Sequence, residues 1–208
     1  MLSVASVLRS GGVYDHFHVK RLQMHVARHL RQPYRFVCLT DIRLDHVETV
    51  PLVHGWPGWW SKLELFRPDA LSGRVLYLDL DVSVVGDLAP LADFPADFAA
   101  IADYQFPLQL NSSVMVWDSG YADHLYTEFK PVAEVVMKRL HGDQQWIFEK
   151  LPFAARFPKR WVPSFKASGQ PKSPPPDARV MVWHGQPKPW DMPPGHWAHG
   201  LTETVTHA

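Results

Sequence analysis

The apolar positions of the chain fall into short runs of two kinds, and their spacing predicts alternating strands and helices. Residues 3–8 are mostly apolar and partly β-branched and give way to Ser10-Gly11-Gly12, the pattern of a buried strand that ends in a loop. Val19, Leu22, Val26 and Leu30 then recur at three- and four-residue steps with Lys20, Arg21, Gln23, Arg28 and Arg31 between them. That spacing predicts an amphipathic helix, capped by Asp15 and ended by Pro33. Tyr34–Thr40 reads as a second strand. Strand, helix and strand within forty residues form the unit from which parallel sheets are built, so the predicted class is α/β.

Further along, a loop dense in Gly, Pro and Trp (residues 55–60) leads into Ser61-Lys-Leu-Glu-Leu-Phe66, which predicts a helix capped by Ser61 with Glu64 as its partner and limited to about two turns by Pro68. Arg74–Leu78 is the most strand-like run and delivers Asp79-Leu80-Asp81 at its carboxyl end, the edge of a parallel sheet where ligands bind. More strands are expected at Phe98–Ala102, 113–117 and 180–183. Leu125, Phe129, Val132, Val136 and Leu140 mark a helical face kinked near Pro131, and a shorter helix is expected over Asp143–Lys150. Residues 168–178 are rich in Pro and poor in apolar side chains, which reads as a mobile loop within a single domain spanning 1–208.

At 208 residues and 46% hydrophobic, the chain suits one core. Its 21 basic and 21 acidic residues cancel, so no broad positive field gathers phosphates and nucleic acid is not an expected partner. Cys38, the single cysteine, lies in an apolar run, which excludes an intrachain disulfide and fits a core position in a reducing compartment. No stretch approaches the roughly 20 apolar residues of a membrane span and no signal-peptide order opens the chain, so the reading is a cytoplasmic protein. Nine Trp are more than this length usually carries, and Trp stacks on sugar faces as well as filling cores.

In an extended backbone Asp79 and Asp81 share one face with Cα atoms about 6 to 7 Å apart, close enough to hold one cation. Asp-x-Asp by itself also describes a solvated turn. Carboxylate oxygens select Mg²⁺ or Mn²⁺, and an imidazole in the set tilts the choice toward Mn²⁺. His184 is the candidate third ligand, in a stretch where Gly185 lets a phosphate approach the backbone and Lys188 supplies positive charge.

Val75-Leu-Tyr-Leu-Asp-Leu-Asp-Val82, Gly86-Asp-Leu, Asn111-Ser-Ser-Val-Met-Val, Asp143-Gln-Gln and Gly185-Gln-Pro-Lys-Pro-Trp190, in that order, resemble the glycosyltransferases of the GT-A fold, most closely glycosyltransferase family 8 and its bacterial relatives. The resemblance implies one nucleotide-diphospho-sugar transferase domain with a mixed, mostly parallel sheet flanked by helices. It implies Mn²⁺ (or Mg²⁺) on Asp79, Asp81 and His184, a sugar site lined by Asn111 and Ser112, Asp143 and Gln144 near the reacting carbon, and Lys62 on the donor. The family's His stands three residues before the Gly of its Gly-x-x-Lys-Pro-Trp block; here that position is Val182 and the His adjoins Gly185. Leu8, Tyr14 and Asp41, near the ends of the first two strands, are candidates for the nucleotide, with uridine the family's commonest base.

The implied reaction is hexosyl transfer from a nucleoside-diphosphate sugar to a saccharide or glycolipid acceptor with retention of configuration. Asp143 or Gln144 would position or stabilise, with Asp143 as nucleophile the variant reading. Bacterial relatives build envelope polysaccharides, which would place the chain in the cytoplasm or at the inner membrane. Two alternatives use the same residues: a phosphatase of the haloacid dehalogenase type, with Asp79 attacking phosphate, and a non-catalytic nucleotide-sugar-binding protein of the same fold.

Overall fold

Strand β1 (Leu2–Leu8) pairs in parallel with β2 (Tyr34–Thr40) on one side and with β4 (Arg74–Leu78) on the other, so the chain's first strand lies inside its sheet. The computed structural model of the chain describes residues 1–198. Within them a seven-stranded sheet has the order β3-β2-β1-β4-β7-β6-β8, with β3 at Glu48–Pro51, β6 at Phe98–Ala102, β7 at Leu110–Asp118 and β8 at Ala155–Arg156. Only β7 runs against the other strands of this sheet, being antiparallel to both β4 and β6. The expected mixed, mostly parallel α/β architecture is therefore the one found.

Each strand residue that points to one face has a neighbour that points to the other, and the core is accordingly split in two. Val4, Leu76 and Leu78 pack with Val19, Leu22 and Val26 of helix α1 (His16–His29), all essentially without exposure. Burying each of these α1 side chains contributes about 1.5–3 kcal/mol. On the other face Ala5, Val75 and Tyr77 meet Trp60, Phe129 and Trp146. Asp15 caps α1 as expected, accepting hydrogen bonds from the Phe17 and His18 amides.

Four expectations need correction. Ser61 does not cap a helix: residues Gly58–Phe66 form a 3-10 helix, and the Ser61 hydroxyl donates back to the Gly58 carbonyl at 2.6 Å. Glu64, expected as its capping partner, instead reaches across to accept from the Val53 and His54 amides at 2.7 and 3.0 Å. The kinked helix near Pro131 is a full break, with α3 (His124–Thr127), a 3-10 turn at Lys130–Val132 and α4 (Ala133–Arg139), because proline has no amide to continue the ladder. The late strand, expected over 180–183, is β9 (Val180–Met181), paired with the unforeseen β5 (Ser83–Val84) in a second small sheet.

The β5–β9 ribbon brings the carboxyl-terminal stretch back beside the Asp79–Asp81 loop. Just beyond β5, Gly86 makes the close approach possible, since a Cβ there would lie 2.6 Å from the Ala178 carbonyl oxygen. The short helix α2 (Ala89–Ala92) follows, and α5 (Asp143–Lys150) begins where expected.

Candidate active site

At the carboxyl end of β4 the backbone leaves the sheet through Asp79, whose amide is held by the Ser113 carbonyl of β7. The turn is fastened from below by Arg21, which donates to the Leu80 and Val82 carbonyls at 2.8 and 2.9 Å. Burial lowers the Arg21 guanidinium to about 10, against the attraction of Asp81 and Tyr14. Above the turn opens a cavity of about 1130 Å³, lined by Asp79, Asp81, Lys62, Asp143, Gln144 and Lys188 among others.

Each carboxylate of the pair has two partners. Asp79 accepts the Tyr77 hydroxyl at 2.6 Å and pairs with Lys62 at 3.0 Å. Asp81 accepts the Tyr14 hydroxyl at 2.9 Å and the Lys188 ammonium through its Oδ2, while its Oδ1 has no hydrogen-bond donor among the described residues. Lys188 also donates to the Trp183 carbonyl at 2.8 Å. Both tyrosine hydroxyls are pushed above their ordinary range by burial and by these neighbouring carboxylates, so they remain protonated donors.

Lys62 extends the network inward. Its ammonium lies 3.6 Å from Asp143 and 3.3 Å from the Ser112 hydroxyl, which itself donates to Asp143 at 2.6 Å. Burial works against the charge on Lys62, but Asp143 and Asp79 together hold its pKa above the usual lysine value. Asp143 is 4% exposed, and its burial raises its carboxyl pKa in spite of Lys62 and Ser112. Next to it Gln144 accepts a hydrogen bond from Asn111 at 3.4 Å. Tyr14, Lys62, Asp79, Asp81, Ser112, Asp143, Gln144, Gly185 and Lys188 thus line one cavity. Asn111 reaches it through Gln144.

Two expected nucleotide contacts stand outside the cavity. Leu8 is 1% exposed and packs in the core, while its neighbours Val7 and Arg9 line the cavity. Asp41 accepts from the Ser10 amide and hydroxyl at 2.8 and 2.7 Å and so shapes the loop after β1 from outside the cavity. Burial opposes its charge, but those Ser10 bonds, with Arg9 beside it, hold its carboxyl below the usual range.

His184 lines the cavity but does not join Asp79 and Asp81. No group of three potential metal ligands assembles among the described residues. Its Nδ1 pairs with the Ser164 hydroxyl at 3.1 Å and its ring stacks on Tyr104 with centroids 5.4 Å apart. Burial and the nearby Lys166 lower its pKa. Val182, at the position where the resembling family has its His, is 1% exposed and faces the core.

Sequence reading missed Tyr77 and Arg21. Tyr77 stands in an apolar run two residues before Asp79, where alternation could have pointed to a shared face. Arg21 looked like a polar residue of α1 and is instead 7% exposed beneath the metal-candidate turn.

No family model matches the chain, and no curated protein matches it. Solved structures do. The chain superimposes on the glycosyltransferase GlyE of Streptococcus pneumoniae TIGR4 with a TM-score of 0.72 and 14% identity, covering 97% of this chain and 60% of GlyE. It matches an active-site mutant of LgtC with a TM-score of 0.69 and 16% identity, over 97% of this chain and 94% of that one. A structure of galactosyltransferase LgtC in complex with donor and acceptor sugar analogs gives 0.66 and 15% identity, over 99% and 97%. At these identities the likeness establishes the fold, which is the GT-A fold of glycosyltransferases. The chain spans 60% of the length of GlyE and nearly all of LgtC.

Proposed function

We propose that the chain transfers a sugar from a nucleoside-diphosphate sugar, with UDP as the expected carrier, to a saccharide or glycolipid acceptor with retention of configuration. The observation that carries the reading is the Lys62 bridge. One ammonium ties the strand-end Asp79 to the buried Asp143 and Ser112, and so joins a diphosphate corner to a sugar corner within one cavity. The GT-A fold supports it, since the galactosyltransferase LgtC, which shares that fold, forms a complex with donor and acceptor sugar analogs.

A divalent cation fits Asp79 and Asp81 as a two-carboxylate site. The free Asp81 Oδ1 points to a place for it, and Mg²⁺ in particular is commonly held by one or two carboxylates with substrate phosphates completing the shell. His184, paired with Ser164, leaves that set. When bound, the cation would supply Lewis-acid stabilisation of the departing diphosphate, worth several kcal/mol.

The protein's own groups define the rest. Tyr77 and Tyr14 orient the two carboxylates by donating to one oxygen of each. Lys188, now neutralising Asp81, is placed to meet the negative charge that grows on the leaving group. Asp143 and Gln144 would hold the glycosyl carbon, a role supported by their shared place in the cavity and by Asn111 donating to the Gln144 side chain. Asp143 is engaged by Ser112 and Lys62, which suits positioning and charge stabilisation better than covalent attack. A phosphatase of the haloacid dehalogenase type needs a fold other than the one found. The non-catalytic alternative keeps this fold, and the displaced His184 is the observation in its favour.

One assay separates the two. Protein incubated with UDP-glucose or UDP-galactose and Mn²⁺ or Mg²⁺ should release UDP slowly without acceptor and faster with one. Tight UDP binding with no release from any donor would establish the non-catalytic reading instead.

A further inference from the structure

Three tryptophans sit within five residues, Trp56, Trp59 and Trp60, and the fold uses them differently. Trp56 and Trp60 are 8% and 5% exposed and pack on Phe129 in the core. Trp59 is 56% exposed and lines the cavity. Exposure alone would not set it apart, but this apolar ring forms part of the wall of the cavity and so can meet whatever the cavity holds.

The ring is held in place. Its Nε1 donates to the His141 carbonyl at 3.0 Å, so its single polar group is satisfied by the protein and the surface it offers is carbon. The ring lies close over Gly142, where a Cβ would come within 3.1 Å of Nε1 and 3.3 Å of Cδ1 and crowd it. The next residue is Asp143. The ring is therefore anchored at the start of α5, beside the corner assigned above to the reacting carbon.

Contacts order the cavity. Tyr14 bonds Asp81, Lys62 joins Asp79 to Asp143, Gln144 follows, and Trp59 adjoins Gly142 at that same end. On the functional reading above, a nucleobase near Tyr14 would lie at the other end of this series with the diphosphate between. Because Asp143 is buried and Trp59 stands half in solvent, the sugar that meets Trp59 is the one that arrives from outside.

Resting on the functional reading above, we propose that Trp59 is the platform on which the acceptor saccharide stacks, recognised through the C–H face of a pyranose ring.

The test measures methyl β-galactoside and methyl β-glucoside binding to the UDP-loaded protein by saturation-transfer NMR, with UDP affinity followed in parallel by calorimetry. Trp59→Ala should weaken binding of at least one glycoside about ten-fold, while UDP affinity stays within about two-fold. Trp59→Phe keeps a ring and should recover most of the binding, and unchanged melting temperatures of both variants would show that the fold is intact. Glycoside binding unaltered in Trp59→Ala overturns the proposal, and so does a parallel fall in UDP affinity, which would assign the ring to the base. Wild-type protein that binds UDP but neither glycoside also overturns it. Failure of wild type to bind UDP at all would sink the functional reading itself, and is told apart by the calorimetric arm.

Discussion

Lys62 stands between carboxylates that would otherwise repel one another inside a poorly solvated corner. Its side chain is 13% exposed and that of Asp143 is 5% exposed, so removing the ammonium leaves a buried carboxylate with no cationic partner and Ser112 as its remaining side-chain donor. Breaking such a pair typically costs about 3–5 kcal/mol. Lys62→Met is expected to lower unfolding free energy by about 3 kcal/mol in urea titrations and to reduce donor turnover about a hundred-fold or more. Loss of turnover with full stability would show that Lys62 acts on the donor and not as the clamp on Asp143. At this scale the sequence was most informative about charged residues near strand ends. Asp79 and Asp81 were legible as candidates from their place after an apolar strand and Lys188 from its Gly-containing loop, whereas Asp143 entered only through the resemblance of its Asp-Gln-Gln block; the fold brings all four to one cavity. Tyr77 was not legible, since tyrosine in a strand is as easily core, and the contacts of His184 with Ser164 and Tyr104 were not, because those partners come from segments far away in the chain.

Elements were legible where local pattern decides and obscure where a distant partner decides. Strands β1, β2, β4 and β6 and helices α1 and α5 follow from periodicity and caps, because burial on the sheet repeats along each of them. The two-residue strands β5 and β8 carry no period of their own and exist only as pairings, so nothing in their sequence announces them, whereas the apolar run at 180–183 announced β9 and overstated its length. Glu64 shows the same effect in one side chain. Read locally it is a capping residue; in the fold it is fully buried, holding the Val53 and His54 amides and pairing with Arg67 at 3.0 Å. It thereby ties the loop after β3 to the 3-10 helix that carries Lys62. Glu64→Ala should destabilise the protein by about 3 kcal/mol, since it strands two amides and takes one of its carboxylate partners from the Arg67 guanidinium. Glu64→Gln, which keeps an acceptor, should lose less in the same chemical denaturation series. Equal losses in the two variants would contradict this account of its role.

For the molecule as a whole, acid should act through histidines that the fold prefers neutral. Burial lowers the pKa of His29, His46 and His184, so the unfolded chain takes up protons more readily than the native one. Their contribution to stability is complete above the ordinary imidazole value of about 6.5 and is lost as pH falls below it. Melting temperatures should therefore drop from pH 7 to pH 5, and a triple variant with Gln at 29, 46 and 184 should drop less. Asp143, with its raised pKa, works in the opposite direction across the carboxylate range, where deprotonation with rising pH costs native stability.

The whole-molecule claim is that the GT-A fold sets Asp79 and Asp81 at the mouth of β4 to hold a diphosphate through a divalent cation. Calorimetry of UDP binding, with Mn²⁺ and then with excess chelator, on wild type and on a variant carrying Asp79→Asn with Asp81→Asn, tests it most directly. The account predicts cation-dependent binding that falls about a hundred-fold or more in the variant. UDP affinity that survives both the chelator and the loss of the two carboxylates would contradict it.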